Sequence, residues 1–417
     1  MQSPLSALFD TMARRGILYC VLRDAERLDT LAHGGEIDLL VHPSDLDRAE
    51  ACLAESGFVG LVSWGHWPHH FYVLYDAVAD CWIKCDVVTA ISYGRPVHNL
   101  VTDLANDCLA ERHRAGRVFA PCPEDELVTL LLHCVLDSNA IRPERVARVK
   151  ELRRQTTRDE RLQAHVSRYW PGMTWPRLAK MIDRDEWPLL QGHREQLSAH
   201  LRRGDYVGTT ARGVRDRALR QLRRWIGMAR PSAPSVALLA PDGAGKSTLV
   251  SGIRDRFFGP VHSVYMGLQQ GKSRQWARSR VPGLGLSRHL FSQWRRYLSA
   301  RYRQAGGQLV LFDRYTYDAL LPATGGPSPL RRLRRWLLAH ACPAPDLVVL
   351  LDVPGEELFA RKGEHDAVFL EQQRQCYLRM RPHLRRATVI DGSCDPGHLR
   401  RQVTTLLWEE YRSRGLR

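Results

Sequence analysis

The sequence has no apolar run approaching the roughly 20 residues needed to span a bilayer, and no signal-peptide pattern opens it. It also lacks paired cysteines. The ten cysteines are scattered singly, and the closest two, Cys81 and Cys85, have no second pair at the spacing of a zinc site. These absences argue against a membrane-spanning segment, a disulfide framework and a structural zinc site. We therefore expect a cytoplasmic protein with reduced thiols.

Lysine is scarce, and nearly all of the positive charge is arginine. The formal net charge is +16, from 61 Lys plus Arg against 45 Asp plus Glu. Such an excess favours anionic partners, which include nucleotides, phosphorylated metabolites, nucleic acid and acidic membrane surfaces. An arginine-rich coding bias would give the same balance without functional meaning. Because no motif gives a strong nucleic-acid signal, we expect a nucleotide and a small-molecule acceptor as partners.

The chain of 417 residues is long for one compact domain, and its patterns separate three regions. Residues 1–123 mix strand-like runs with a helix over 46–56, which predicts an α+β domain. Residues 124–230 show helical spacing only, as in Leu127–Leu136 and Leu189–Leu201, and predict a helical extension that packs beside the first domain. The strands predicted in the first region are Ile17–Leu22, Ile37–Val41, Phe71–Tyr75 and Cys81–Val88.

The third region, residues 235–417, follows a breaker segment at Pro231–Pro234 and alternates strands with helices. This alternation predicts an α/β domain with a parallel sheet and helices on both faces. Its predicted strands are Val236–Ala240, Ser263–Met266, Gln308–Asp313, Leu347–Asp352 and Thr388–Asp391.

The segment Ala240-Pro-Asp-Gly-Ala-Gly-Lys-Ser247 lies between a predicted strand and a predicted helix that runs from Lys246 to about Phe257. Closely spaced glycines let backbone N–H groups curl around a phosphate chain, and the helix N-terminus adds its positive end. We expect Lys246 to reach the β- and γ-phosphates of ATP, and the Ser247 hydroxyl to bind Mg²⁺. The predicted ATP-binding residues are Asp242, Gly243, Ala244, Gly245, Lys246, Ser247 and Thr248.

Two further elements carry charge for phosphoryl transfer. Asp313 ends a predicted strand beside this loop, where a carboxylate can hold Mg²⁺ or orient an acceptor oxygen, and Arg314 can neutralise a phosphate. Arg361 and Lys362 end a predicted helix before Gly363, in a basic loop of the kind that closes over phosphates. The alternative is that these two cations only complement the helix C-terminus. The predicted catalytic residues are Lys246, Asp313, Arg314 and Arg361.

Together with Pro345-Asp-Leu-Val-Val-Leu-Leu-Asp-Val-Pro354 and Arg361-Lys-Gly-Glu-His-Asp366, these motifs resemble the successive motifs of thymidylate kinase over residues 235–417. The resemblance implies a five-stranded nucleoside-monophosphate-kinase fold, ATP as the phosphate donor and a lid around Arg361–Asp366. It also implies that Asp242 contacts an acceptor sugar hydroxyl, and that Asp313 and Arg314 serve the metal and the acceptor phosphate.

The stretch that grips thymidylate in that family is absent, and Val264-Tyr-Met-Gly-Leu-Gln-Gln-Gly271 stands in its place. A pocket shaped by Gln269, Gln270, Lys272 and the predicted helix Trp294–Tyr302 would take a different phosphorylated or hydroxylated acceptor.

In the N-terminal region, Glu36 and Asp38 are two positions apart on a predicted strand, so their side chains share a face and can share a metal. Asp86 on a later strand would complete a three-carboxylate site for Mg²⁺. The segment Gly34-Gly-Glu-Ile-Asp-Leu-Leu-Val41 resembles the nucleotidyltransferase superfamily related to DNA polymerase β, over about residues 14–136. The nearby segment Trp64–His70 is expected to be an exposed aromatic loop rather than a metal site.

Active members of that superfamily begin a helix with glycine and serine, where this chain has Leu22-Arg23-Asp24. The first metal-binding carboxylate is Glu36 rather than aspartate. A degenerate domain used for binding or scaffolding is therefore the alternative to an active nucleotidyltransferase.

Three functions follow from these patterns. The leading one is an ATP-dependent phosphotransferase acting on a nucleoside monophosphate or a related phosphorylated or sugar acceptor. The second is Mg²⁺-dependent nucleotidyl transfer by the N-terminal region, and the third is a nucleotide-gated binding module without catalysis. The fusion resembles proteins of bacterial surface-polysaccharide biosynthesis, which implies a glycan precursor as another acceptor. A homodimer stays open.

Two predicted helices, over Arg215–Arg230 and Arg331–Trp336, interleave arginine with leucine and tryptophan. Such a helix can lie on an anionic membrane, or its apolar stripe can pack on its own domain while the arginines face solvent. We favour packing on the domain.

Overall fold

The computed structural model describes residues 4–28, 34–61, 64, 67–94, 100–138, 140–204, 206–267, 284–321, 328–363 and 365–415. The chain forms two compact units, Met1–Gln221 and Leu222–Arg417, which are called the N-terminal and C-terminal units below. The boundary between them lies inside the helix Tyr206–Ala229 rather than at the Pro231–Pro234 breaker. The division into three domains stays a prediction.

The N-terminal unit contains a mixed five-stranded sheet in the order β1-β2-β5-β4-β3. Strands β2 and β5 are parallel, and the other neighbours in this sheet are antiparallel. The pairs β6–β7 and β8–β9 form small separate ladders. The strands are β1 (Tyr19–Val21), β2 (Gly35–Val41), β3 (Val59–Gly60), β4 (His69–Asp76), β5 (Cys81–Val88), β6 (Ile91–Tyr93), β7 (Leu100–Thr102), β8 (His113–Ala115) and β9 (Val118–Ala120).

Ten helices are described from the start of the chain to the unit boundary. The predicted helix over 189–201 is two helices, because the chain breaks at Gly192, and glycine is a poor helix former. The helices are α1 (Pro4–Arg14), α2 (Leu46–Glu55), α3 (Leu104–Ala110), α4 (Pro123–Leu136), α5 (Pro143–Gln155), α6 (Asp159–Tyr169), α7 (Trp175–Asp183), α8 (Trp187–Gly192), α9 (Arg194–Gly204) and α10 (Tyr206–Ala229). The described residues also form 3₁₀ turns at Ala25–Arg27 and Pro43–Asp45.

Helix α4 is the centre of the N-terminal unit. It is buried on nearly all sides, and its leucines share one core with Leu40 and Val88 of the sheet and with Leu162 of α6. The sheet and the helical extension are therefore held together by a common apolar cluster.

Three consecutive buried acids begin α4, and each accepts hydrogen bonds from an arginine of α5, α6 or the segment between them. The pairs are Arg158–Glu124, Arg161–Asp125 and Arg148–Glu126, at 2.9, 2.8 and 2.8 Å. Burial alone would raise the pKa of Glu124 and Asp125, but the hydrogen bonds they accept lower both values to about 2. These ion pairs fix the following helices to the helix N-terminus, where negative charge is favourable.

The C-terminal unit contains a sheet of five parallel strands in the order β11-β12-β10-β13-β14, which confirms the predicted five-stranded parallel sheet. The strands are β10 (Ser235–Leu239), β11 (Val261–Tyr265), β12 (Leu309–Asp313), β13 (Leu347–Asp352) and β14 (Ala387–Asp391). The helices are α11 (Lys246–Arg256), α12 (Leu284–Ala305), α13 (Pro329–Ala339), α14 (Gly355–Lys362), α15 (Ala367–Met380) and α16 (Pro396–Gly415), with 3₁₀ turns at Thr316–Leu320 and Arg381–His383.

Strand β10 is buried at every position, as its uninterrupted apolar sequence predicts for a central parallel strand. The chain leaves β10 toward β11 on one side and later returns to β13 on the other. In parallel sheets, ligands bind beyond the carboxyl ends of the strands at such a change of direction. The end of β10 is thus where a site is expected.

Within the described ranges, no helix is long and apolar enough to cross a membrane.

Candidate functional site

The loop between β10 and α11 is built on two glycines in left-handed backbone conformation. Gly243 has φ +90° and Gly245 has φ +79°, values that other residues adopt only with strain. A Cβ at Gly243 would also lie 2.9 Å from the carbonyl oxygen of Leu358. The tight turn leads directly into the N-terminus of α11, where backbone N–H groups and the helix dipole favour an anion.

Lys246, the first residue of α11, is buried against this loop. Its Nζ donates hydrogen bonds to the carbonyl oxygens of Ala240, at 3.0 Å, and Pro241, at 2.7 Å. Burial lowers the pKa of Lys246 from 10.5 to about 8, and the nearby charge of Arg314 acts in the same direction. The loop therefore holds a poorly hydrated ammonium group, whose charged form an anionic ligand would stabilise.

Arg314 ties the loop to the 3₁₀ turn that follows β12. Its guanidinium donates hydrogen bonds to Asp242 in the loop and, at 3.2 Å, to Asp318 in the turn. Tyr377 of α15 donates to the other oxygen of Asp318 at 2.9 Å. Arg314 itself has a left-handed φ of +63°, which is uncommon for a residue other than glycine. The backbone and two carboxylates thus fix the direction of this guanidinium.

The two acids that hold Arg314 have different environments. Burial would raise the pKa of Asp242, but the positive charges of Arg314 and Lys246 outweigh it and the pKa is lowered. Deeper burial raises the pKa of Asp318 despite the same arginine. Asp242 is consequently the more firmly ionised acceptor on the loop side of the site.

Asp313 is the last residue of β12, and its backbone is in register with Leu238 of β10 and Tyr265 of β11. It therefore lies at the carboxyl end of the parallel strands, beside the loop. Its Oδ1 is buried and has no hydrogen-bond partner among the residues that the structure describes. A buried carboxylate oxygen without a partner is costly, and a cation or an ordered water would satisfy it.

The residues predicted to bind Mg²⁺ here are chemically suited to it. Ser247 is exposed in the first turn of α11, and Asp313 supplies the unsatisfied carboxylate oxygen. Both are hard oxygen donors, which Mg²⁺ prefers to nitrogen or sulfur. Thr248, the next residue of the helix, is also exposed.

A second group of residues lies beyond β11. A Cβ at Gly267 would lie 2.6 Å from the Tyr265 hydroxyl and 2.8 Å from Cδ of Arg314, so the backbone of Gly267 packs closely on that arginine. Gln293 of α12 donates a hydrogen bond from Nε2 to the carbonyl oxygen of Met266 at 3.1 Å. Its Oε1 is buried without a partner in the described part of the chain. An unsatisfied acceptor thus lies next to the segment that leads away from β11.

Asp318, Tyr377 and Gln293 were not predicted as site residues from the sequence. Asp318 carries a weak signal, because it follows Asp313 and Arg314 by about one turn, but nothing in the sequence distinguishes Gln293 or Tyr377. The predicted helix Trp294–Tyr302 lies within α12. The predicted pocket residues Gln269, Gln270 and Lys272 lie outside the described residues.

Helix α14 ends at Lys362 and is capped by Gly363 with φ +65°, as predicted. The Arg361 guanidinium donates to Glu357 and, from both Nη atoms at 3.2 Å, to the carbonyl oxygen of Gly392. Lys362, by contrast, lies near the loop, since its Cβ would be 3.5 Å from a Cβ added at Gly243. The charge of Lys362 contributes to the lowered pKa of Asp242. The structure therefore brings Lys362 to the loop. The catalytic role of Arg361 stays a prediction, as does that of a lid around it.

The predicted carboxylates of the N-terminal unit share one face of its sheet. Asp38 of β2 and Asp86 of β5 are register partners on parallel strands, and Glu36 lies two residues before Asp38. Asp86 is hydrogen-bonded to Nδ1 of His69 at 2.9 Å, and Asp38 forms an ion pair with Arg23 at 3.4 Å. Glu36 is exposed on one side. The protein around the rest of its side chain raises its pKa, and the negative charge of Asp38 adds to this effect.

No group of three or more His, Cys, Asp or Glu within the described ranges is arranged to hold a metal ion. The metal site at Glu36, Asp38 and Asp86 stays a prediction. The expectation of an exposed loop was wrong for His69, which begins β4 and is partly buried, because the β4–β5 pairing extends to Val88.

No protein-family model matches the chain, and no curated protein matches it. Among solved structures, it is similar to deoxyadenosine kinase from M. mycoides, with the products dCMP and dCDP bound. That alignment has 13% identity and a TM-score of 0.31, and it covers 42% of this chain and 97% of that chain. A second structure of deoxyadenosine kinase from M. mycoides, with bound dATP, gives 13% identity, a TM-score of 0.30 and coverage of 42% and 98%. At this identity and TM-score, the likeness says nothing about activity.

Proposed function

We propose that the C-terminal unit is an ATP-dependent phosphotransferase that transfers the γ-phosphate to a small phosphorylated or hydroxylated acceptor. The observation that carries this proposal is the buried ammonium of Lys246 at the base of a loop with two left-handed glycines. A lysine with limited hydration, next to backbone N–H groups at a helix N-terminus, is suited to a polyphosphate.

In this proposal Gly243, Ala244 and Gly245 surround the phosphate chain with backbone N–H groups. Lys246 exchanges its two carbonyl acceptors for β- and γ-phosphate oxygens. The negative charge of these oxygens balances the ammonium charge better than neutral carbonyls do. Lys362, whose backbone end lies near Gly243 and whose charge acts on Asp242, adds positive charge at the loop. Phosphoryl transfer requires mostly positioning and electrostatic stabilisation, and these residues supply both.

Ser247 and Asp313 would hold Mg²⁺, which, when bound, neutralises charge on the β- and γ-phosphate oxygens. The support for this assignment is the unsatisfied oxygen of Asp313 at the edge of the sheet.

The acceptor would bind beside Arg314. The guanidinium, oriented by Asp242 and Asp318, would neutralise an acceptor phosphate, and Asp242 would accept a hydrogen bond from an acceptor hydroxyl. Gln293 of α12 offers a buried acceptor atom that has no partner within the described ranges. The motif resemblance to thymidylate kinase supports a nucleoside monophosphate, whereas the absence of the thymidylate-gripping stretch supports another nucleotide or a sugar phosphate.

The proposal is tested with Mg·ATP and a panel of thymidylate, other nucleoside monophosphates and sugar phosphates, with products identified by mass. One acceptor should gain a single phosphate. Lys246→Ala should lower kcat/KM on the order of 100-fold or more, since it removes a preorganised charge at the transferring phosphate. Lys84→Ala, in the N-terminal unit, is the matched control and should leave turnover unchanged. Near wild-type turnover by Lys246→Ala would falsify the proposal.

A second candidate function is nucleotidyl transfer by the N-terminal unit. The observation that favours it is the register of Asp38 with Asp86 on adjacent parallel strands, with Glu36 on the same face. The same panel reveals it by release of pyrophosphate and a nucleotidyl adduct in the mass spectrum. Asp38→Ala should then abolish the adduct, whereas Asp47→Ala, an exposed carboxylate on α2, should not. Tight ATP binding with neither product would indicate a nucleotide-gated binding module.

A further inference from the structure

Helix α13 of the C-terminal unit packs on its own domain by one narrow face. Leu338 and Ala339 are buried, in a small cluster with Ala319. The Arg335 guanidinium on the same side donates hydrogen bonds to the carbonyl oxygens of Ala319 and Leu321. These contacts fix how the helix is rotated about its axis.

The opposite side of α13 is apolar and exposed. Successive residues of an α-helix are rotated by about 100°, so the exposed leucines and tryptophan fall on an arc centred opposite Arg335, Leu338 and Ala339. The exposed fractions are 79% for Leu330, 56% for Leu333, 53% for Trp336 and 39% for Leu337. The expectation that this stripe packs on its own domain is therefore wrong for α13.

Arginines border this stripe. Arg332 and Arg334 flank it on its two sides, Arg331 lies further round, and all three are exposed. None of the three forms an ion pair with an acidic side chain in the described part of the chain, and α13 contains no acidic residue. The charge of Arg334 instead adds to burial in lowering the pKa of His289 on α12. We call six of these residues the basic apolar face: Leu330, Arg332, Leu333, Arg334, Trp336 and Leu337.

We propose that the basic apolar face docks on a phospholipid surface with anionic headgroups. A helix with an apolar stripe between arginines lies in the membrane interface, with its apolar side chains among the acyl chains and its cations at the headgroups. Tryptophan favours this interface, and each arginine near an anionic surface strengthens binding roughly fivefold.

The charge of the face argues against a second copy of this chain as its partner. In a two-fold dimer the same patch meets itself, so the arginines of one copy would face those of the other with no acidic residue on either helix. An anionic bilayer supplies both the apolar phase and the opposite charge. This inference does not depend on the proposed phosphotransferase activity.

The test is cosedimentation of the full-length chain with vesicles of phosphatidylcholine, with and without phosphatidylglycerol. The wild type should bind the anionic vesicles and should release them at high salt. Arg332→Gln combined with Arg334→Gln should weaken binding about 25-fold, from roughly fivefold per arginine. Trp336→Glu should weaken it more than about tenfold, because it removes a large apolar side chain from the interface. Leu189→Glu, at an exposed leucine of the N-terminal unit, is the control and should bind as the wild type does.

Several results would overturn the inference: no binding to anionic vesicles, equal binding to phosphatidylcholine alone, or unchanged binding by both variants. A dimer in light scattering that Trp336→Glu converts to a monomer, without any binding to vesicles, would identify the face as an interface between copies. Because the substituted side chains are exposed, the variants should melt at the wild-type temperature. The arginine variant keeps the test valid if Trp336→Glu fails to fold.

Discussion

Each unit of the molecule places carboxylates where two parallel strands lie side by side. The two groups of carboxylates differ in their hydrogen-bond and ion-pair partners. In the N-terminal unit Asp86 is bonded to His69 and Asp38 is paired with Arg23. In the C-terminal unit Asp313 keeps a buried oxygen without a partner in the described residues, and Lys246 has neutral carbonyls as acceptors. Buried polar groups are normally satisfied, so the oxygen of Asp313 makes the C-terminal group the stronger candidate for a binding site.

The backbone strengthens the contrast. The C-terminal unit presents its charges around a loop whose glycines are required by left-handed conformations and by the close approach of Leu358. The charges of the N-terminal unit project from regular strands. A loop at a helix N-terminus offers N–H donors to an anion, whereas the N–H groups within a paired sheet are already used.

The largest expected difference between the two units concerns Mg²⁺. Asp313→Asn should raise the Mg²⁺ concentration for half-maximal phosphotransfer by about 10-fold to 100-fold, because it removes the charge of a proposed ligand. Asp38→Asn is the matched substitution in the N-terminal unit and should leave it unchanged. A Mg²⁺ titration of product formation measures both. A shift in Asp38→Asn equal to that in Asp313→Asn would show that the comparison is wrong.

The pH dependence of ATP binding tests the state of Lys246. The pKa of about 8 is below the ordinary value, so the lysine is charged below pH 8 and loses its proton as the pH rises through it. Bound phosphates stabilise the charged form, so affinity should be constant below about pH 8 and fall up to about tenfold per pH unit above it. Titration calorimetry should also detect proton uptake on binding above pH 8. Lys246→Met should bind weakly with no such dependence, and a wild-type affinity that is flat up to pH 10 would contradict the assignment.

The cations at the end of α14 should differ in effect. Lys362→Ala should lower kcat/KM about fivefold to tenfold, because its charge acts on Asp242 in the loop. Arg361→Ala should have a smaller effect, because its guanidinium is bonded to Glu357 and Gly392. Steady-state kinetics with the acceptor found in the panel measure the difference. The reverse order of effects would support the original prediction of Arg361 as the catalytic cation.

The smallest expected effect concerns the satisfied carboxylate of the N-terminal unit. His69→Ala should lower the free energy of unfolding by about 1 kcal/mol, because partly buried Asp86 loses a hydrogen bond. His70→Ala, which removes a more exposed pair with Glu50, should cost less than about 0.5 kcal/mol. Urea unfolding measures both, while phosphotransfer should be unaffected. Loss of phosphotransfer in His69→Ala would show that the N-terminal carboxylates take part in that activity.

Much of the C-terminal fold could be predicted because its signals are local. The predicted strand over 347–352 has the observed bounds of β13, and the predicted strand over 236–240 differs from β10 by one residue at each end. The start of α11 follows from Gly245 and the end of α14 from Gly363, because a residue in left-handed conformation lies outside a right-handed helix. The weaker predictions were short strands such as β1, which spans Tyr19–Val21 rather than Ile17–Leu22.

The candidate site was predictable only in part. The loop and the positions of Asp313 and Arg314 follow from consecutive residues. Asp318 and Tyr377, by contrast, enter the site through hydrogen bonds that depend on the packing of α15 and the 3₁₀ turn. The exposure of α13 could not be read from its amphipathic pattern, because the pattern shows that a helix has two faces but not which face meets the domain.

The sequence by itself determined the parallel sheet, the glycine loop and the excess of positive charge, since each depends on residue type and on spacing along a few turns or strands. The tertiary structure alone decided that Asp242 pairs with Arg314 across 72 residues and that Lys362 rather than Arg361 reaches the loop. It also decided that one oxygen of Asp313 has no partner among the described residues. The physical reason is that the hydration and pairing of a charge depend on every group packed around it, and those groups come from distant parts of the chain.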